Sequence, residues 1–219
     1  MQRGSVEQLH ALDPFADGPI DAPVVWWCRP DDDAIVLGSR QGPELLDTAA
    51  CARAGLSIAR RRSGGGAVLI RRAKMVWVDV VLPTGSAPDD VRGSMVWIGE
   101  RWRAVLQRFV PTTLDVHRGG MVVSAWSDLV CFAGVGPGEV LLDGAKLVGL
   151  SQRRTRHGIR IQALIHLAPA MHGYRPLFLA PLPDGEPSGQ AWLADLGEPD
   201  LDAVVHAFAA GLADRTTPV

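Results

Sequence analysis

The sequence is poor in cysteine, in long apolar runs and in net charge, and each shortage excludes a class of protein. Its 219 residues hold three cysteines, Cys28, Cys51 and Cys131. An odd number at wide spacing fits neither a disulfide framework nor a paired-cysteine metal site, and reads as reduced thiols in a cytoplasmic protein. No amino-terminal run is apolar enough for a signal peptide, and no stretch approaches the ~18 consecutive apolar residues of a membrane span. A formal net charge of −2 gives no global attraction to nucleic acid or to an anionic membrane surface. The six histidines show no metal-ligand spacing, so no metal site is expected from the chain itself. There is no internal repeat, no G-x-G-x-x-G and no loop ending in GK[ST].

Hydrophobic residues make up 47% and charged residues 21%, the balance of an ordinary soluble globule large enough to fold on one core. Residues 1–23, with "DPFADGPIDAP", read as a loosely ordered lead-in, and residues 24–215 as a single domain. "VVWWC" and "AIVLGS" read as strands around the turn "RPDDD", and "MVWVDVVL" is the clearest strand of all. Helical spacing predicts one helix over "GPELLDTAACARAG", ended by Gly55, a longer one over "VRGSMVWIGERWRAVLQRF", and a closing one over "DLDAVVHAFAAGLAD" behind Pro199 and Asp200. Between the last two lie the short strands "LDVHRG", "EVLLDG", "AKLVGLSQRR" and "IRIQALIHL", with Asp143-Gly144 as a hairpin signal. The Pro-rich "YRPLFLAPLPDGEPSG" is an ordered loop or an exposed linker. Strands dominate the middle and helices are segregated, which predicts an α+β fold with a mixed, mostly antiparallel sheet.

Against this even background the basic residues are clustered. Arg60, Arg61, Arg62, Arg71 and Arg72 bracket three glycines in "RRRSGGGAVLI", and Arg153, Arg154 and Arg156 follow a lysine in "DGAKLVGLSQRR". Glycines let backbone N–H groups approach a ligand, and arginine forks match phosphate or carboxylate, so the pair reads as an anion site. The plain alternative is a glycine-rich hairpin corner with solvated arginines. Adjacent strand positions point to opposite faces, so only one of Arg61 and Arg62 serves a ligand, and Arg61 is preferred. Lys146 is either an ordinary surface lysine or, since it would share a face with Val148, a cation presented in a cleft. Cys131 in "VCFAGVGPGEV" is either a buried inert thiol or a nucleophile at a strand end.

Together, "RRRSGGGAV" followed about eighty residues later by "DGAKLVGLSQRR" resembles the biotin/lipoate ligase superfamily, in its lipoate–protein ligase and octanoyltransferase branch. The resemblance covers roughly residues 24–170. It implies a central mixed sheet flanked by helices, and attachment of a lipoyl or octanoyl group to a lysine of an acceptor lipoyl domain. Carried onto this chain, it implies a ligand loop of Arg61, Ser63, Gly64, Gly65, Gly66 and Ala67. Lys146 becomes the central cation, with Gly149 and Gln152 lining its strand. Some members use ATP and Mg²⁺ to activate lipoate or octanoate as an adenylate. Others need no cofactor and take the acyl group from an acyl carrier protein onto a cysteine, in one group within a Cys-Phe pair upstream of the lysine. Cys131-Phe132 stands at that place, which implies a cysteine-dependent transferase in preference to the ligase. The continuation "LIRRAKMVWVDV", with Arg71 and Arg72, differs from the family's usual His-Asp, and Leu150-Ser151 replaces its small pair. These differences leave a non-catalytic, ligand- or partner-binding descendant as a further alternative.

Overall fold

Eight consecutive residues from Met75 to Leu82 are buried, because the strand they form is covered on both faces. The computed structural model describes residues 1–169, 173–179, 181–194, 197 and 199–213. In chain order its strands are β1 (Gln2–Gly4), β2 (Val24–Pro30), β3 (Ala34–Leu37), β4 (Ser57–Arg60), β5 (Val68–Ile70), β6 (Met75–Pro83), β7 (Leu114–Val116), β8 (Val140–Leu142), β9 (Ala145–Thr155) and β10 (Gly158–His166). The helices are α1 (Val6–Ala11), α2 (Thr48–Arg53), α3 (Val91–Leu106) and α4 (Leu201–Ala213). A seven-stranded sheet runs β1-β2-β6-β10-β9-β8-β7, and a three-stranded sheet runs β4-β3-β5. Only β1 with β2 and β3 with β4 pair in parallel, so the fold is the expected α+β with mixed, mostly antiparallel sheets.

The two-residue period of β6 sorts its side chains. Val76, Val78, Val80 and Leu82 join Ile98 and Trp102 of α3 and Phe208 of α4 in one core, where Trp102 stacks on Phe208 at 3.8 Å. Met75 and Trp77 face the other way, into a second core with Val36, Leu69 and Phe132. The small sheet therefore lies over one face of the large one, and the functional side chains collect between the two. The β8–β9 hairpin turns at Asp143 and Gly144, with φ of +49° and +81°, as the Asp-Gly signal requires.

Two expectations need correction, and one open alternative is decided. Residues 1–23 are not loosely ordered throughout: β1 pairs with β2, and α1 buries Val6, Leu9 and His10. The start of α1 is a capping box, with Gln8 N donating to Ser5 Oγ (3.2 Å) and Ser5 N donating to Gln8 Oε1 (2.8 Å). Its far end is held by Arg160, whose Nη2 donates to Leu9 O (2.8 Å). The helix over 42–55 is broken, because Asp47 accepts from Ala50 N and starts α2 afresh after a 3₁₀ turn at Pro43–Leu45. The Pro-rich stretch is no exposed linker, since Tyr174, Leu177 and Phe178 are buried. Residue 180 of that stretch, and residues 214–215 of the expected domain, lie outside the described residues. No described helix is long and apolar enough to cross a membrane.

Candidate functional site

The glycine loop leaves β4 and enters β5, and Arg61 determines which way its backbone turns. This side chain is 4% exposed. Its Nη2 donates to Gly64 O (2.8 Å) and Gly66 O (2.7 Å), and its Nη1 reaches Val36 O at 3.5 Å. With the carbonyls drawn inward, the N–H groups of Gly64, Gly65 and Gly66 have no acceptor among the described residues. Three such donors in sequence form an anion-attracting concavity. The loop also packs tightly on its neighbour. A Cβ at Gly66 would lie 2.8 Å from the backbone of Val130 and Cys131, so any side chain there would push the cysteine segment away. Cys131 N donates to Ala67 O (2.9 Å) and Ala67 N to Leu129 O (2.7 Å), which joins that segment to the loop.

Lys146 lies on β9 and is 1% exposed. Its Nζ donates to the main-chain oxygen of Cys131 (2.7 Å) and to Glu139 Oε2 (2.8 Å), and sits 5.2 Å from the centre of the Phe132 ring. Glu139 also accepts from Gly136 N (2.7 Å) and Leu150 N (3.2 Å). Burial pushes its carboxyl up, against the pull of the Lys146 ammonium and these N–H groups. Three donors converging on one carboxyl are built for its ionised form. A buried lysine without a counter-charge would be costly, so the partner answers the choice left open between surface and cleft. The ammonium is inside.

Two cavities meet here. A narrow slot lies between the sheets, walled by Val36, Val68, Ile70, Trp77, Phe132 and Leu164. An open cleft is lined by Gly64, Gly65, Gly66, Arg92, Glu139, Lys146 and Gln152. Cys131, Leu150 and Ser151 border both. The slot is not wholly apolar: His10, Arg61 and Gln162 also reach it. Burial, helped by the charges of Arg61 and Arg160, lowers the His10 pKa to about 3 and keeps its ring neutral.

The expected residues gather here with different duties. Cys131, Lys146 and the three glycines share the cleft. Gly149 lines the slot because the Phe132 ring occupies the space of its missing side chain, 2.6 Å from an ideal Cβ. Gln152 borders the cleft, donating to Val91 O (3.0 Å) and accepting from Ser94 Oγ (3.1 Å). Ser63 donates to Ser151 Oγ (3.0 Å), and Ala67 contributes backbone alone. Arg61 supports the loop from behind, whereas Arg62 points outward to Asp13 (2.9 Å). The remaining arginines do not form the expected anion site, because protein acceptors already hold them. Arg71 pairs with Asp33 (3.1 Å), Arg153 lies 3.9 Å from Asp13, and Arg154 donates to Pro88 O (2.8 Å) and Asp90 O (3.0 Å). Sequence reasoning missed Glu139, Phe132, His10 and Gln162. For Glu139 there was a usable signal, since a lysine set among apolar strand neighbours calls for an acid nearby. Among the described residues, no group of three or more His, Cys, Asp or Glu is placed to hold a metal ion.

Known proteins match this chain in fold and in family. By sequence, no curated protein matches. By structure, protein Ta0514 from T. acidophilum with bound lipoic acid superposes with a TM-score of 0.75 at 16% identity, over 98% of this chain and 82% of that one. A lipoate-protein ligase A bound with ATP gives 0.69 at 17% identity, over 89% and 72%. P. falciparum LipL1 in complex with lipoate gives 0.65 at 12% identity, over 97% and 57%. Likenesses at such low identity establish the fold. The family model for the lipoyl protein ligase A/B catalytic domain matches residues 13–212, nearly the whole chain, and with the slot, the glycine loop and the buried lysine in place, the chain belongs to that family.

Proposed function

We propose that the protein attaches a lipoyl or octanoyl group to a lysine of an acceptor lipoyl domain, through a thioester on Cys131. The observation that carries this is the position of Cys131 on the boundary of both cavities, with the Lys146 ammonium on its own carbonyl. An acyl chain in the slot would bring its carbonyl carbon to that boundary. In the first step the Cys131 sulfur attacks the thioester carbonyl of an acyl carrier protein. A new C–S bond forms, the donor's C–S bond breaks, and the carrier leaves as a thiol with the proton Cys131 gave up. In the second step the acceptor lysine's free amine attacks the acyl-cysteine. A C–N bond forms, the C–S bond to Cys131 breaks, and the amine's proton restores the thiol. Both tetrahedral intermediates carry an oxyanion. The Lys146 ammonium and the unpartnered N–H groups of Gly64, Gly65 and Gly66 are the donors disposed to meet it.

A second reading is an ATP-dependent ligase in which Cys131 is incidental. The open cleft favours it, being roomy and lined by glycine N–H groups and an ammonium that suit phosphate. There ATP would supply activation of the carboxylate, held by Gly64, Gly65, Gly66 and Lys146. Mg²⁺ would be bound largely through the phosphates, since the described residues offer no cage for it. The test uses acceptor domain with octanoyl-carrier protein in one tube and octanoate with ATP and Mg²⁺ in the other. Product in the carrier tube, lost in Cys131→Ser, is the expected result. Product only with ATP, tolerant of that substitution, would replace the first reading with the second. Product in neither would leave a binding protein.

A further inference from the structure

Glu139 has no part in the reaction as written, yet it is the most completely bonded carboxylate in the site. It is 3% exposed and accepts three N–H groups from three directions. Gly136 N belongs to the turn before β8, Leu150 N to β9, and the third is the Lys146 ammonium. The two backbone bonds hold the carboxylate without help from the lysine side chain, so the acid is a mount and the amine the part mounted on it. The Cys131 carbonyl takes a second N–H of the ammonium (2.7 Å), and the Phe132 ring closes another side. One of the three ammonium donors is left without a partner among the described residues, and Lys146 borders the open cleft.

We propose that Glu139 is a positioning residue that keeps Lys146 protonated and aims its remaining N–H into the cleft, so that Lys146 serves as a fixed cation and not as a proton acceptor. This rests on the acyl-transfer reading for its consequence but not for its geometry. A lysine acting as a base would have to lose a proton while in contact with a buried carboxylate, leaving an unpaired negative charge in the interior. The other ionisable groups around it are few. They are the Cys131 thiol on the 3₁₀ turn at Cys131–Ala133, Arg92 of α3 on the cleft wall, and the His166 ring of β10, which meets Phe132 in a T-shaped contact at 4.8 Å. Arg92 and Lys146 repel as like charges, which leaves Glu139 as the carboxylate that opposes deprotonation.

The assignment is tested on the amine itself. The chain has two lysines, Lys74 and Lys146, so ¹⁵N-lysine labelling gives one side-chain resonance for each, and Lys74→Arg identifies them. In Glu139→Gln, which keeps the shape and one acceptor oxygen, the Lys146 amine is expected to titrate at least one pH unit lower than in the parent chain. Glu139→Asp should restore part of the difference. An unchanged titration overturns the proposal. The second measurement is acylation of Cys131 by a small octanoyl thioester, followed by intact mass. Glu139→Gln should lower kcat at least tenfold with little change in KM, and add no further loss in a Lys146→Met background. An equal loss in that background means Glu139 acts independently of the lysine and also overturns the proposal. Failure of the parent chain to acylate Cys131 would count against the transferase reading alone, because the titration reads Glu139 without any turnover.

Discussion

The chamber behind Cys131 is narrow and mainly apolar, whereas the chamber in front of it is open and carries most of the charge. The slot has branched and aromatic walls from both sheets, Val36, Val68, Ile70, Trp77 and Leu164, and its histidine is held neutral. The cleft sets the bare main chain of three glycines, the Lys146 ammonium, the Arg92 guanidinium and the Glu139 carboxylate among Val91, Met95 and Met121. Apolar walls select a ligand by size and shape, since burying each methylene is favourable by about 0.8 kcal/mol wherever it fits. Fixed donors select by charge, and act most strongly on charge that appears during reaction. On the proposed function, recognition of the tail is thus separated from chemistry at the head, and three residues, Cys131, Leu150 and Ser151, border both chambers.

Breaking the head without the tail gives the largest effect. Lys146→Met should reduce acceptor acylation by at least about 100-fold, the size of effect seen when one such donor is removed. Octanoate should still raise the protein's thermal midpoint as before, because the slot is untouched. The converse variant, Ile70→Trp, fills the slot. It should shift preference toward shorter acyl chains by about tenfold in kcat/KM, measured across a series of acyl thioesters, while a two-carbon donor reacts as with the parent.

The boundary itself yields to Gly66→Ala. Its new methyl would meet Val130 and Cys131, and overpacking of this kind costs about 1–3 kcal/mol. Both thermal stability and Cys131 acylation should fall together, unlike in the two variants above. An effect of similar size that appears only in acid comes from His166, which packs against Phe132 (ring centres 4.8 Å apart) and whose pKa burial lowers from 6.5 to about 4. Its folded pKa lies below the unfolded one, so the stability it contributes is whole above pH 6.5 and is lost as pH falls toward 4. That loss is about 3 kcal/mol at most, and denaturant titrations of His166→Gln at several pH values should show a correspondingly flatter acid limb. Least of all, Arg153→Gln should leave both chambers working, with stability within about 0.5 kcal/mol, since its long contact to Asp13 is exposed.

Much of this division was legible in the sequence, but unevenly. Strand runs such as "MVWVDVVL" and the Asp143-Gly144 turn follow local rules, and the structure obeys them. The glycine loop and Lys146 were legible as chemistry because both break local preference, with consecutive glycines on one side and a charge among apolar neighbours on the other. The duties of the arginines were not legible. Whether Arg61 or Arg154 meets a ligand or a protein carbonyl depends on which oxygens tertiary folding brings within reach, and no spacing encodes that. For Glu139 the sequence signalled that Lys146 needs an acid, but which of many acids serves is decided only by burial. The amino-terminal segment was misjudged because its Pro, Asp and Gly content hid the Ser5–Gln8 cap and the apolar Val6 and Leu9 behind it.

Arg61 has a kinetic corollary. A glycine-rich stretch left to itself samples many shapes, and a ligand meeting it must wait for, or induce, the right one. Here the guanidinium grips two loop carbonyls from beneath, so the ordering entropy is settled during folding and not at each encounter. Capture of the acyl head should therefore proceed in a single concentration-dependent phase, with no slow rearrangement to limit it.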